Sequence, residues 1–405
     1  MVHAASLPWG MDVVSPPVWP ARYELLDGLR GVAALAVVMH HVGIVPAGHF
    51  AVMVFFVISG YCITASAESF RSSGQGIAAF LRRRVRRIYP PYLVAVAFYA
   101  ATRTVKALAG GADELSRSPL AWLQNLTLTQ WLTLLRQPQH WPNDNPTLFV
   151  GAFWSLNYEE QFYIVIALCL LLSLWKKVPL LAMVAILAAA GLALNLARPA
   201  NWVCGLFLEY WVHFALGSSL FFLLCRYTTR RARYLYVALL LAVGIALSVR
   251  LLPWSAERIA NERAPMEIAF LVGVTLVLLA LRPLSVPLVS SRWWKPFSAL
   301  GAISYSLYLV HQFNVHLVNT IAGLMVPGAP SWLNLISVLA LHVALASVFW
   351  YCFERPFLGR QTPAGRMPGP ISAFRTWAMS KARPRCTPLR LRDGDGASGS
   401  PEHRT

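Results

Sequence analysis

The sequence predicts an all-α polytopic integral membrane protein with about ten transmembrane helices and both termini on the cytoplasmic side. Three observations carry that expectation. Hydrophobic residues make up 57% of the chain and charged residues only 13%, about half the charged share of a soluble domain. The apolar residues fall in blocks close to the roughly 20 residues that cross a bilayer. Short connectors rich in Arg, Lys or Pro separate those blocks.

Taken in order, the spans are expected near 26–46, 49–66, 88–107, 154–175, 178–197, 202–225, 234–252, 265–282, 297–325 and 331–353. With the N-terminus inside, the cytoplasmic connectors hold Arg82 to Arg87, Lys176 and Lys177, Arg226 to Arg233, and Arg292 with Lys295, as the positive-inside rule requires. Arg250, Arg258 and Arg263 fall on the wrong side, partly offset by Glu257 and Glu262. The longest external connector, 108–153, contains LRQPQHWPNDNP. Its composition suits an irregular lid or interfacial segment, with room for a short re-entrant helix.

Three regions follow: a cytoplasmic N-terminal segment at 1–23, a membrane domain at 24–358, and a basic tail at 359–405 that is expected to be disordered. The first twenty residues contain Pro16, Pro17 and Pro20 and lack the basic-then-apolar pattern of a cleaved signal peptide. The net charge of +18 would point to nucleic acid in a soluble protein. Here it lies mainly in alternate connectors and the tail, so no nucleic-acid partner is expected. Cys62, Cys169, Cys204, Cys225 and Cys352 sit in apolar segments and Cys386 in the tail. No spacing reads as a disulfide framework or a metal site.

Four segments carry ionisable groups that a plain anchor does not need. LDGLRGVAALAVVMHH opens the first span. At about 100° per residue, Arg30 and His41 return to one face about 16 Å apart, Asp27 joins them, and His40 points away. Gly28 and Gly31 keep the rest of that helix thin enough for neighbours to approach. A snorkelling arginine and a histidine bonded to a neighbouring helix would explain the pair as well as a functional site does. FWSLNYEEQFYIVIA places Glu159 and Glu160 near a helix N-terminus at the external face. The helix dipole favours acids there, and either carboxylate is also suited to orient a histidine or deprotonate a hydroxyl. FLRRRVRRIYPPYL places five arginines between spans two and three, consistent with topology alone or with a polyphosphate receptor. LGAISYSLYLVHQF puts Gly301, Ser304, Tyr308 and His311 in one stripe, which reads as a cavity lining. These features fit a transporter or an enzyme whose substrates meet inside the membrane.

In this order the segments resemble the membrane-bound acyltransferase-3 family, whose members O-acylate bacterial surface polysaccharides, lipopolysaccharides, nodulation factors and some antibiotics. Arg30 and His41 match the family's basic residue, ten-residue gap and histidine. VFFVISGYCIT at 54–64 matches its second helix, and Arg84, Arg87, Ile88 and Pro90 match R-x-x-R-I-x-P. Trp154, Ser155, Leu156, Glu159, Gln161, Phe162 and Tyr163 match its W-S-L-x-x-E-x-Q-F-Y. Ser304, Tyr305, Leu307, Tyr308, Leu309 and His311 match the late S-Y-x-L-Y-L-x-H, and Glu354 with Pro356 the closing E-x-P. Two departures stand out: Ala51 and Met53 replace the glycine and aspartate frequent before VFF, and the basic tail carries no expectation of the fused SGNH-type esterase domain found in some members.

The resemblance implies a membrane-embedded O-acyltransferase in the bacterial inner membrane, surrounded by lipid and holding no permanent cofactor. Its donor would be cytoplasmic acyl-CoA, with acetyl the commonest group. Its acceptor would be a hydroxyl on a glycan or lipid-linked sugar; a small molecule such as a macrolide, or glycan transport without chemistry, are the alternatives. Arg84 and Arg87, with Arg83 and Arg86, would hold the CoA phosphates, and the acyl arm would pass Arg30 to reach His41. His41 would act as a general base or as an acylated nucleophile. Glu159 would orient the histidine or acceptor, with Tyr308 and His311 behind it. Trp122, Trp131 and Trp141 would either stack on sugar rings or anchor the loop at the interface.

Overall fold

The fold is described from a computed structural model over residues 23–358, apart from 75, 111–116, 140, 198–201, 227–229, 253–254 and 256–261. The expectations for the N-terminal segment up to 22, for Glu257 and Arg258, and for the tail from 359 lie outside the described residues.

Gly43, at φ +82°, ends the first helix, because only glycine enters that region without strain. α1 (Leu25–His41) therefore stops several residues short of the expected boundary and leaves His41 on its last turn. α2 (Gly48–Ser72) returns antiparallel to it. α3 (Ile77–Leu108) begins eleven residues earlier than hydropathy implies. The arginine run is thus no connector but the first turns of a 32-residue helix that continues through Pro90 and Pro91.

Among its described residues, the segment expected to be an irregular lid with room for a short helix holds α4 (Pro119–Thr127), α5 (Trp131–Arg136) and two 3₁₀ turns. Asn125 organises it: its Nδ2 donates to the Ala121 and Thr147 carbonyls at 2.7 and 2.6 Å, and its Oδ1 accepts from Gln130 Nε2 at 3.0 Å. Tyr92 of α3 donates to the Asn125 carbonyl at 2.6 Å, tying this segment to the membrane helices.

α6 (Trp154–Lys176), α7 (Leu180–Ala197), α8 (Leu208–Cys225), α9 (Arg230–Arg250) and α10 (Arg263–Ala280) follow. The expected start of α8 at 202 is displaced because Val203 pairs with Gln139 in an isolated bridge. Glu209 then accepts from the Cys204 and Gly205 amides at 2.6 and 3.1 Å. After α11 (Ser285–Ser290), the expected ninth span is broken into α12 (Lys295–Ala302), α13 (Ser304–Val310) and α14 (Val315–Met325). α15 (Ser331–Phe349) runs into a π-helical turn over Trp350–Glu354. There the Ser306 hydroxyl donates to the buried Glu354 carboxylate at 2.5 Å, fixing the closing E-x-P to the broken helix.

Among the described residues, seven helices are long and apolar enough to cross a membrane: α2, α6 to α10, and α15. α1 and the arginine-bearing α3 pack with them, and the broken α12–α14 takes the place of a further straight span. The protein is an all-α, multi-pass membrane protein. Its outer surface agrees: α9 exposes Leu235, Leu239, Ile245 and Val249, a face that suits lipid far better than water. Inside, Phe162 meets Phe214 at 4.4 Å and Phe56 at 5.4 Å between ring centroids, joining α2, α6 and α8.

Small residues set the closest crossings. A Cβ on Gly301 of α12 would collide with the Asp27 carbonyl of α1, and one on Gly31 with the Phe297 carbonyl. Gly60 and Gly217 make the same reciprocal contact between α2 and α8, where Thr64 donates to Ser218 at 2.8 Å. In a bilayer such backbone approach is what holds helices together. Gly301→Val is therefore expected to destabilise the detergent-solubilised protein by at least the ~1–3 kcal/mol typical of overpacking, read as a lowered unfolding temperature. Gly323→Val, at a position with nothing near its Cβ, should leave that temperature within a degree or two of wild type.

Candidate active site

α1 carries the two groups that define the site, Arg30 near its start and His41 at its end. Each borders a different cavity. Around Arg30 a narrow space of about 80 Å³ is lined by Ser59, Cys62, Arg84, Arg87, Glu159 and Tyr163, among others. Around His41 a larger space of about 670 Å³ is lined by His49, Trp141, Trp154, Arg263, Glu267 and Gln312, among others. Tyr308 borders both. Its hydroxyl pairs with Ser155 Oγ at 2.8 Å and also bonds the Ala152 carbonyl, so the phenol ring stands as a partition between them.

The helical start of α3 sorts the arginines by face. Arg84 is buried, its guanidinium over the Phe80 and Tyr163 rings at 5.6 and 5.5 Å, and its Nε has no partner among the described residues. Arg87, one turn on, lines the same cavity. Arg83 and Arg86 are exposed and line neither cavity; Arg83 lies over Phe70 at 5.1 Å. Arg30 Nη2 lies 3.6 Å from Cys62 Sγ across the cavity. Two guanidiniums from α3 and one from α1 therefore converge on one space. That space suits an anion, through charge-assisted, forked hydrogen bonds.

The paired carboxylates are not a pair. Glu159 turns into the arginine cavity and accepts from Ser59 Oγ at 3.2 Å and Tyr163 OH at 2.7 Å. Glu160 instead bonds Tyr89, whose hydroxyl also lies 3.1 Å from the Thr127 carbonyl. Glu159 is thus placed to balance Arg30, Arg84 and Arg87, and it does not line the cavity beside His41.

His41 is half-buried, and its ring stands 4.9 Å from that of His311. His40, expected to point away, also borders this cavity; it is exposed, and its Nδ1 lies 3.3 Å from the Val45 carbonyl. His311 is fully buried at the break after α13. Its Nδ1 bonds the Tyr308 carbonyl at 2.8 Å, which leaves Nε2 as the nitrogen with a lone pair. That Nε2 has no partner among the described residues. The expected stripe survives in altered form. Ser304 and Tyr308 border the arginine cavity and His311 meets His41, while Gly301 faces α1 as packing.

The family model for the acyltransferase domain (Acyl_transf_3) matches residues 23–351, which include every group just described. The chain belongs to the acyltransferase-3 family. A protein of Komagataeibacter xylinus carrying the provisional name membrane-bound transacylase BcsY is 27% identical over 367 residues, 85% of each chain. The O-acetyltransferase OatA of Staphylococcus aureus is 27% identical over 158 residues, 38% of this chain but only 26% of that protein. An uncharacterised Haemophilus influenzae protein is 31% identical over 130 residues, 31% of this chain and 49% of its own. No solved structure matches. This acyltransferase-3 protein is an enzyme of the acyltransferase class, embedded in a membrane.

The sequence reading missed a second polar cluster of the acyltransferase. In the His41 cavity, Arg263 Nε donates to the buried Glu267 at 2.6 Å, and His49 Nε2 lies 2.5 Å from the same Oε1. Arg263 Nη2 also donates to His49 Nδ1 at 2.7 Å, and its guanidinium lies 3.5 Å over the Trp141 ring. His213 Nε2 stands 3.5 Å from the other Glu267 oxygen. Two signals were available: Arg263 violated the positive-inside pattern, and Glu267 and His213 are ionisable residues inside apolar spans. Of the three loop tryptophans, only Trp141 lines the cavity; Trp122 packs on Phe149 at 4.6 Å.

Proposed function

We propose that this acyltransferase moves an acyl group, acetyl by likeness to the O-acetyltransferase relative, from acyl-CoA to a hydroxyl of a bacterial surface or exported glycan. The observation that carries the reading is the pair of cavities on one helix, cationic at Arg30 and histidine-lined at His41, separated by Tyr308. The basic end of α3 would face the cytoplasm, as positive-inside placement favours, and the enzyme would sit in the inner membrane.

Arg84 and Arg87 would then hold the donor's phosphates, with Glu159 limiting the excess charge when the cavity is empty. Arg83 and Arg86, exposed outside that space, would attract the anion to the surface rather than hold it. That arginine cavity, about 80 Å³, is too small to take the thioester arm as well, since pockets that enclose ligands run to roughly 300 Å³ and more. Entry of the arm past Arg30 therefore requires Tyr308 to release Ser155 and Ala152 and swing aside. With the arm in place, the acceptor hydroxyl gives its proton to His41 and its oxygen attacks the thioester carbonyl. The C–S bond breaks, and CoA leaves as a thiolate that takes up the proton. His311 Nε2 would accept from His41 and hold its other nitrogen as the base. Acyl transfer through His41 itself needs the same partition to open.

The test is label transfer from [acetyl-labelled] acetyl-CoA to extracted host glycans in membranes carrying the enzyme or an equally abundant His41→Ala variant. Label incorporation that requires His41 supports the reading, and incorporation independent of it sinks the reading. His311→Ala is expected to lower kcat by on the order of 100-fold through misplacement of the His41 ring, with the donor KM little changed. His311→Gln, which keeps an acceptor in the same place, should recover part of that loss.

A further inference from the structure

We propose that Arg263, Glu267, His49, Gln312 and Trp141 form an acceptor subsite for an uncharged sugar ring, facing His41 across the 670 Å³ cavity. The inference rests on the acyltransferase reading above and names which groups choose the acceptor. The volume falls within the range of roughly 300–1,000 Å³ found for small-ligand sites.

The chemistry of the wall selects the class. Arg263 and Glu267 are bonded to each other at 2.6 Å, so the guanidinium and carboxylate cancel. The wall offers donors and acceptors at close spacing without net charge, which suits hydroxyl groups and disfavours an anion or a cation. The set is rigid before any ligand arrives. His49 stacks nearly parallel to Trp154, with centroids 5.9 Å apart and planes 15° from parallel, while both its nitrogens lie within hydrogen-bond distance of Arg263 or Glu267. His49 is therefore a fixed part of the wall and not a second free base. Gln312 Oε1 accepts the Ala152 amide, which leaves its Nε2 as a donor.

Trp141 supplies the apolar half. One indole face carries the Arg263 guanidinium at 3.5 Å, which fixes the ring, yet the side chain remains 44% exposed at the cavity. A fixed aromatic face beside polar groups is what the C–H face and hydroxyl edge of a pyranose require. An isolated buried ion pair is a poor stability device. Four polar groups and a tryptophan converging on the cavity that contains His41 are better explained as recognition.

The experiment is saturation-transfer NMR on the full-length enzyme in detergent, with neutral tetrasaccharides of glucose or mannose and a uronic-acid tetrasaccharide as probes, alongside calorimetric acetyl-CoA binding. Wild type should bind at least one neutral probe more tightly than the acidic one. Trp141→Ala should weaken that binding tenfold or more and leave acetyl-CoA affinity unchanged. Glu267→Gln, which leaves Arg263 unbalanced, should shift preference toward the acidic probe. If Glu267→Gln does not fold, Trp141→Ala at its exposed site still decides the matter. Neutral-sugar binding unaffected by Trp141→Ala, or absent from a wild type that binds acetyl-CoA, overturns the subsite alone. Loss of acetyl-CoA binding in the wild type overturns the acyltransfer reading on which it rests.

Discussion

His41→Ala is expected to reduce acyl transfer by on the order of 10²–10⁴-fold, the usual contribution of a general base, in protein that inserts and unfolds like wild type. The half-buried His41 borders the larger cavity and packs against His311 at 4.9 Å, so its loss removes the proton acceptor without opening the core. His40→Ala is the matched control. His40 borders the same cavity, yet it is exposed, its Nδ1 lies at the Val45 carbonyl and His311 packs on His41 instead, so its removal should leave transfer within a few-fold of wild type. Equal loss in both variants would mean that the last turn of α1 matters only as structure. Normal turnover in His41→Ala with loss in His40→Ala would reverse the assignment of faces.

Arg84→Ala is expected to raise the KM for acyl-CoA by about 10- to 150-fold with a smaller change in kcat. That range corresponds to one charged hydrogen bond of ~1.5–3 kcal/mol. Arg84→Lys should recover only part, because an ammonium keeps the charge but not the planar fork. Arg83→Ala should change the KM by less than threefold at physiological salt, because Arg83 lies outside the cavity on Phe70. Initial rates over a donor titration, at matched protein abundance, separate these outcomes. Similar effects from both arginines would indicate a diffuse basic surface instead of a built site.

These residues also mark how far the sequence could be read. The column of Arg30 and His41 was legible because a helix repeats every 3.6 residues and eleven residues close three turns. The arginine run was not, because a hydropathy window stops at charges while backbone hydrogen bonding does not. Once α3 is seen to start at Ile77, the same period separates Arg84 and Arg87 from Arg83 and Arg86. The broken ninth span was hidden for the opposite reason: 297–325 holds no Asp, Glu, Lys or Arg to stop a hydropathy window, and its interruptions reflect tertiary contacts. They fall where Gly301 meets α1, and where His311 packs on His41 and Gln312 lines its cavity. Broken helices are tolerated in a membrane at such cavity-lining points. The Arg263–Glu267–His49 cluster joins residues more than 200 positions apart, and no local motif encodes it. Only the misplaced charge of Arg263 and the acid inside a span pointed there.

In the proposed reaction, donor and acceptor meet at His41 from opposite faces of the membrane. The direct measurement is transfer in proteoliposomes of known enzyme orientation, with labelled acetyl-CoA supplied to one face and a neutral oligosaccharide to the other. Incorporation only when acetyl-CoA is on the Arg84 face and the sugar on the His41 face is the expected result. Equal incorporation with both substrates confined to a single face would contradict it.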